Sequence, residues 1–287
     1  MLNEKLIFVT GKGGTGKSTV SLRMARQLAL QGKRVLLVEL GEASSIKYLA
    51  NLQENVGYSP VATPYGFDWS LLRGIDCLVD YVSSVIKVEK LTKYFFDNPF
   101  MKTLLEIAPG LDDLAILGKL TSHMRNHGPG FQYDHIIVDS HSTGSFKSMV
   151  MAPKLLSKMV TGGPLYSQSR QIDKTLMDGQ GVHTIFVGLF EELPVDELLE
   201  SLVVFKESFN SNYSVVMNKV LPDISITDKS SSWFKYINKK YSKQSDLKAL
   251  LAQDLREVYY HSLVTDELEN KLINQKEEGD VFHSTSL

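Results

Sequence analysis

Gly11-Lys12-Gly13-Gly14-Thr15-Gly16-Lys17-Ser18-Thr19 decides the fold of this 287-residue chain. Gly11 and Gly16 bracket a loop that runs directly into Lys17-Ser18, the spacing of a nucleotide-binding P-loop. The flanks agree. Lys5-Leu6-Ile7-Phe8-Val9-Thr10 reads as a buried strand, and Ser18 to Gln31 as a helix with Val20, Met24 and Leu28 on one stripe. Glycines let the backbone curl so that its N–H groups face anionic oxygens. The helix starting near Gly16 adds its positive end. Lys17 is expected on the β- and γ-phosphates, and the Ser18 hydroxyl on Mg²⁺.

Outward from that loop the pattern is α/β. Gly32 is placed to end the first helix. Val35-Leu36-Leu37-Val38-Glu39-Leu40 is a near-continuous apolar run, the mark of a parallel strand covered on both faces. His135–Asp139, His183–Leu189 and Ser214–Asn218 read as further strands. Pro194 to Phe209 reads as a helix, with Leu198, Leu202 and Phe205 at helical spacing. Strands alternating with helices predict a doubly wound, mostly parallel sheet. Trp233 to Leu251 predicts one more helix, with Lys235, Lys239, Lys240 and Lys243 on a solvated basic edge. The segment from about Gln275 is polar and is expected to fray.

The stretch 51–131 reads differently. Pro60, Pro64 and Gly66 break the chain, and Leu71 to Val88 and Lys90 to Leu120 then look mainly helical. Phe95, Phe96, Phe100, Met101, Leu104 and Leu105 give it an aromatic-rich face. The expected organisation is a nucleotide-binding core over 1–50 and 132–287, with a mainly helical insertion over 51–131.

Bulk properties narrow the function classes. Lys+Arg total 31 against Asp+Glu 33, so the net charge of −2 argues against a generally basic nucleic-acid binder. Cys77 is the single cysteine, which rules out a disulfide within the chain and a zinc site built on several cysteines. No run approaches the roughly 18 apolar residues of a membrane span. The amino-terminal residues lead straight into the first strand without room for a signal peptide, so a cytoplasmic location is expected.

Two segments carry a resemblance. Lys12, a second lysine early in the loop, resembles the deviant Walker A motif of the ParA/MinD/ArsA/nitrogenase-iron-protein group. Asp139-Ser140-His141-Ser142-Thr143-Gly144-Ser145 is similar to the Asp-Thr-Ala-Pro-Thr-Gly-His-Thr switch segment of ArsA-type ATPases, which include arsenite-pump ATPases and tail-anchored-protein targeting factors. Asp139, Thr143 and Gly144 match it. Further along, Ala108-Pro109-Gly110-Leu111-Asp112-Asp113-Leu114, Glu191-Glu192-Leu193-Pro194-Val195-Asp196-Glu197 and Val216-Met217-Asn218-Lys219 resemble family segments in order. The resemblance runs from residue 5 to about 222.

The resemblance implies an Mg²⁺-dependent ATPase that binds ATP with Gly11, Lys12, Gly13, Gly14, Thr15, Gly16, Lys17, Ser18, Thr19, Thr143 and Gly144. Asn218 would recognise adenine, Ser18 and Asp139 would hold the metal, and Lys12 would reach the partner's nucleotide in a homodimer. A cargo protein or membrane partner would read out the nucleotide state. The departures bear on hydrolysis. Gly41 stands where the family has a water-positioning aspartate, leaving Glu39 or Glu42 as substitutes, with His141 a further candidate. A gated binding protein with little turnover is the alternative. A ParA/MinD-like positioning ATPase on DNA or membrane is a third reading, weakened by Glu267, Glu269, Glu277 and Glu278 near the carboxyl terminus. One cysteine makes a poor thiolate site for As(III).

Overall fold

A computed structural model describes residues 4–53, 55–86, 110–128, 130–178, 180–209, 212–221, 232–254, 258–262 and 283–284. In chain order these form β1 (Leu6–Gly11), α1 (Lys17–Leu30), β2 (Val35–Leu40), α2 (Ile46–Leu49), β3 (Val61–Ala62), β4 (Asp68–Leu72) and α3 (Gly74–Ile86). Then come α4 (Leu111–Arg125), β5 (His135–Asp139), α5 (Thr143–Met159), α6 (Gly163–Met177), β6 (Val182–Leu189), α7 (Glu192–Ser208), β7 (Asn212–Val220), α8 (Ser232–Asp254), β8 (Val258–Ser262) and β9 (His283–Ser284).

The strands form one sheet in the order β3-β4-β2-β5-β1-β6-β7-β8-β9. The seven from β4 to β8 run parallel, and the two-residue β3 and β9 close the edges antiparallel. The expected doubly wound α/β sheet is therefore observed. Period-two alternation divides its core between two faces. Ile7, Val9, Leu37, Ile137 and Val187 pack under α1 with Val20, Met24 and Ala25. Leu6, Phe8, Leu36, Val38, Ile136 and Phe186 face the other way, against Leu117, Phe146, Met149, Ile172, Leu198 and Phe205. Burial on both faces is why the central strands read as unbroken apolar runs.

β1 lies between β5 and β6, so the chain leaves it in one direction toward β2 and later crosses back to β6. Ligands in open parallel sheets bind outside the carboxyl ends of the strands at such a reversal. The loop 11–16 emerges there. Asp139 ends β5 beside Val9, and Glu39, one residue before the end of β2, pairs with Asp139.

Within 51–131 the described residues hold strands as well as helices. Asp68–Leu72 pairs along β2 as a parallel strand of the sheet, with Leu37 opposite Trp69 and Leu40 opposite Leu72. Leu71 and Leu72, read as the start of a helix, belong to that strand, and α3 begins at Gly74. A five-residue strand next to broken, proline-containing sequence gives too short a period-two signal to register. The aromatic-rich face from Phe95 to Leu105 lies outside the described residues, as do the side chains of Trp233 and Ile237. The helices α5 and α6, which pack on each other across 143–177, went unread; Pro153 lies buried inside α5. Among the described residues no helix is long and apolar enough to cross a membrane.

Candidate nucleotide and metal site

The P-loop closes on one carbonyl. The Lys12 oxygen accepts the Thr15 hydroxyl at 2.8 Å and backbone N–H at 3.4 Å, and the Lys17 ammonium lies 3.5 Å from it. The Val20 N–H then bonds to the Gly16 carbonyl at 3.0 Å, starting α1. The first N–H groups of that helix face the loop mouth without an acidic residue in the first turn to compete for them.

Two distant segments meet beside the loop. The Ser18 hydroxyl donates to Asp139 Oδ2 at 2.5 Å, and the Ser21 hydroxyl lies 3.3 Å from Oδ1 and 3.0 Å from the Lys17 carbonyl. The Asp139 carboxyl is pushed up to about 6, chiefly by desolvation, with the neighbouring Glu39 charge adding and Ser18 and Lys17 opposing. Among the described residues no group of three or more His, Cys, Asp or Glu gathers round a metal position. A hydroxyl and one carboxylate suit Mg²⁺, which keeps waters and takes phosphate oxygens for its remaining positions.

Ser45 is a residue that sequence reading missed. Its hydroxyl lies 3.3 Å from Ser18 Oγ and donates to Glu39 Oε1 at 3.0 Å. The signal was faint: a Ser-Ser pair immediately before an apolar residue, where a helix starts.

Glu39 has a different setting from the one expected. It is 4% exposed. Its Oε1 accepts the Ser45 and Ile46 backbone N–H groups at 2.8 and 3.0 Å, and its Oε2 accepts Ser44 Oγ and, at 2.9 Å, Trp69 Nε1. With the Ser45 hydroxyl, the carboxylate ties the β2 end, the start of α2 and β4 together. Glu39→Gln puts an amide nitrogen against donors and should lower stability by about 2–4 kcal/mol. Urea unfolding measures this, and an unchanged midpoint would remove the tie. Glu42 is exposed and its carboxylate meets Arg73 at 3.4 Å. Gly41 stands between them at φ 131 with open space where a Cβ would lie, so an aspartate there would be strained by the backbone rather than crowded.

On the opposite side of the loop Lys12 meets Glu197 of α7 at 2.5 Å, both side chains being about two-fifths exposed. Beneath this pair α5 and α7 border a cavity of about 280 Å³, lined by Thr143, Gly144, Phe146, Phe186, Glu197 and Phe205 among others. The switch segment is tied to β1 by its backbone: Thr10 Oγ1 donates to the His141 carbonyl at 2.9 Å, and the Ser140 N–H to the Val9 carbonyl at 3.0 Å. The His141 ring is near Asp113, whose carboxyl burial raises and His141 pulls back. Asn218, at the end of β7, is 4% exposed and donates to the Thr15 carbonyl.

A two-lysine P-loop, an acid at the end of the neighbouring strand and the polar segment that starts α5 are thus brought to one end of the sheet. The family model described as anion-transporting ATPase matches residues 4–163, more than half the chain, covering the loop, Asp139 and the switch. The chain belongs to the ArsA-type ATPase family. Relatives include the ATPase BagA of Mycobacterium tuberculosis, 31% identical over 76% of this chain and 66% of that protein. The arsenical pump-driving ATPase of Acidiphilium multivorum is 24% identical over 76% of this chain and 40% of that protein. An ASNA1 homolog ATPase of Plasmodium chabaudi is 29% identical over 59% and 41%. The chain spans just under two thirds of the mycobacterial relative and about two fifths of the other two. Both the loop and the segment 139–145 lie within the matched span. Substrate and partner remain matters for the residues.

Proposed function

We propose that this chain is an Mg²⁺-dependent ATPase whose nucleotide state controls its association with a second copy. The observation that carries the reading is the 2.5 Å contact of Ser18 with Asp139, which joins the helix start to the end of β5 across 121 residues. Lys17 and the N-terminal N–H groups of α1 would hold the phosphates. Ser18 and Asp139 would hold Mg²⁺, whose charge, once bound, offsets that building on the γ-phosphate oxygens. The polar segment 140–144 supplies a stretch able to respond to loss of the γ-phosphate.

Lys12 is assigned to the association step. An ion pair this exposed is worth about 0–1 kcal/mol, so Glu197 can release Lys12 at little cost. Once free, its ammonium is available to the nucleotide of a second copy. Lys12→Ala is expected to keep ATP binding within a few-fold, to remain monomeric with ATP and Mg²⁺, and to lose at least tenfold in turnover. Sedimentation velocity with a phosphate-release assay checks all three; an ATP-induced dimer in the variant would remove Lys12 from this role.

A second reading, a nucleotide-gated binding protein with little turnover, is favoured by the surroundings of Gly41. Glu39 is buried among five donors and Glu42 faces Arg73, so neither carboxylate is held toward the phosphate side. We infer that Glu39 supports the site rather than positioning water, and that hydrolysis is slow. A basal turnover of the order of 10 s⁻¹, the usual enzyme median, would overturn that inference. Cargo, a membrane partner and a cytoplasmic location stand as expectations of the family.

A further inference from the structure

Asn218 is buried at the end of β7, and its amide is committed to the phosphate loop. Nδ2 donates to the Thr15 carbonyl at 2.8 Å, and Oδ1 accepts the Lys219 N–H at 2.9 Å. Thr15 is itself only 1% exposed, and its hydroxyl holds the Lys12 carbonyl on which the loop closes. The next residue, Gly16, turns into α1 at φ 89, where a Cβ would come within 2.2 Å of Asn218 Nδ2. The glycine therefore serves a second purpose beyond its backbone angle: it lets the asparagine amide reach the peptide between loop and helix.

We propose that Asn218 is a positioning residue for the phosphate loop, so that phosphate affinity depends on the end of β7 whether or not a base is present. This rests on the nucleotide reading of the loop. A side chain that only recognised a base would leave the loop indifferent to its loss. Here its removal takes the partner from a buried carbonyl two residues before Lys17, where an unpaired acceptor is costly and the loop can relax away from the phosphate-binding shape. The same amide stands at the place assigned to the adenine edge.

Inorganic tripolyphosphate separates the two roles, because it offers the phosphates without a base. Calorimetric titration of the full chain with ATP, GTP and tripolyphosphate is the experiment, on wild type, Lys17→Ala, Asn218→Ala and Asn218→Asp, each with a thermal melt. Asn218→Ala is expected to weaken all three ligands by a common factor of roughly five- to tenfold. Asn218→Asp keeps an acceptor for the Lys219 N–H but sets a carboxylate oxygen against the Thr15 carbonyl. It should lose at least as much, and provides the test if the alanine variant melts below the titration temperature. Tripolyphosphate affinity unchanged in either folded variant, with ATP alone weakened, would make Asn218 a base reader and overturn the proposal. Wild type that binds none of the three, or binds them equally well as Lys17→Ala, would overturn the nucleotide reading of the loop and the proposal with it.

Discussion

Lys17→Ala is expected to lower ATP affinity by more than tenfold and ATP turnover by about a thousandfold, with the fold intact. The ammonium lies 3.5 Å from the Lys12 carbonyl, inside the loop and at the start of α1. On the proposed reading its charge would face the phosphate oxygens, where groups already in place would offset charge developing on the transferred group. Losing one such charge-assisted donor typically costs about 3–4 kcal/mol in the transition state. Stability should barely change, because no carboxylate in the described residues is bonded to this ammonium in the free protein. Hydrolysis within threefold of wild type would remove Lys17 from the phosphate site. A large loss of melting temperature would instead make the lysine structural.

Asp139→Asn carries the second large effect, with opposite signs for stability and activity. Burial raises the carboxyl to about 6 from an ordinary value near 3.8. Between those values the folded chain holds a proton that the unfolded chain has released, so this group favours the folded state at low pH. That contribution is complete below about pH 4 and is lost as the pH rises through 6. Two units correspond to about 3 kcal/mol at neutral pH, roughly halved at pH 5. Asparagine removes the ionisation, so the variant should be the more stable above pH 7, by a margin that narrows by about half at pH 5. Urea denaturation of both proteins at the two pH values measures it; a margin independent of pH would show that Asp139 ionises freely. Metal-supported hydrolysis should fall by about a hundredfold or more in the variant. In wild type the apparent Mg²⁺ affinity should drop about tenfold per unit below pH 6, because the proton and the cation compete for one carboxylate. Magnesium titrations at pH 5, 6 and 7 test this, and a flat profile would place the cation elsewhere.

The chemistry that was legible in the sequence is contiguous. Residues 11–19 act through their own backbone and through the helix they begin, so nine positions in a row specify the phosphate loop. Asp139 was legible because an acid at the carboxyl end of an apolar strand, Ile136-Ile137-Val138, is suited to a site beside a phosphate loop. Glu39 was legible as a residue of the same region, but its environment was not. The carboxylate stands near the end of an apolar strand much as Asp139 does, and Trp69, 30 positions away on a strand that reading missed, helps to enclose it.

By itself, the sequence determined the central strands, the phosphate loop with the helix it begins, and the acid opposite Ser18, because periodicity and adjacent residue types are local properties. Tertiary structure alone decided which partners those residues keep. Lys12 faces Glu197 across 185 positions, and Asn218 holds Thr15 across 203. Glu39 and Asp139 stand side by side because β2 pairs with β5. Such pairings depend on which strand ends the sheet brings to one edge, and nothing in a residue's neighbours along the chain encodes the distance to a group that the fold sets against it.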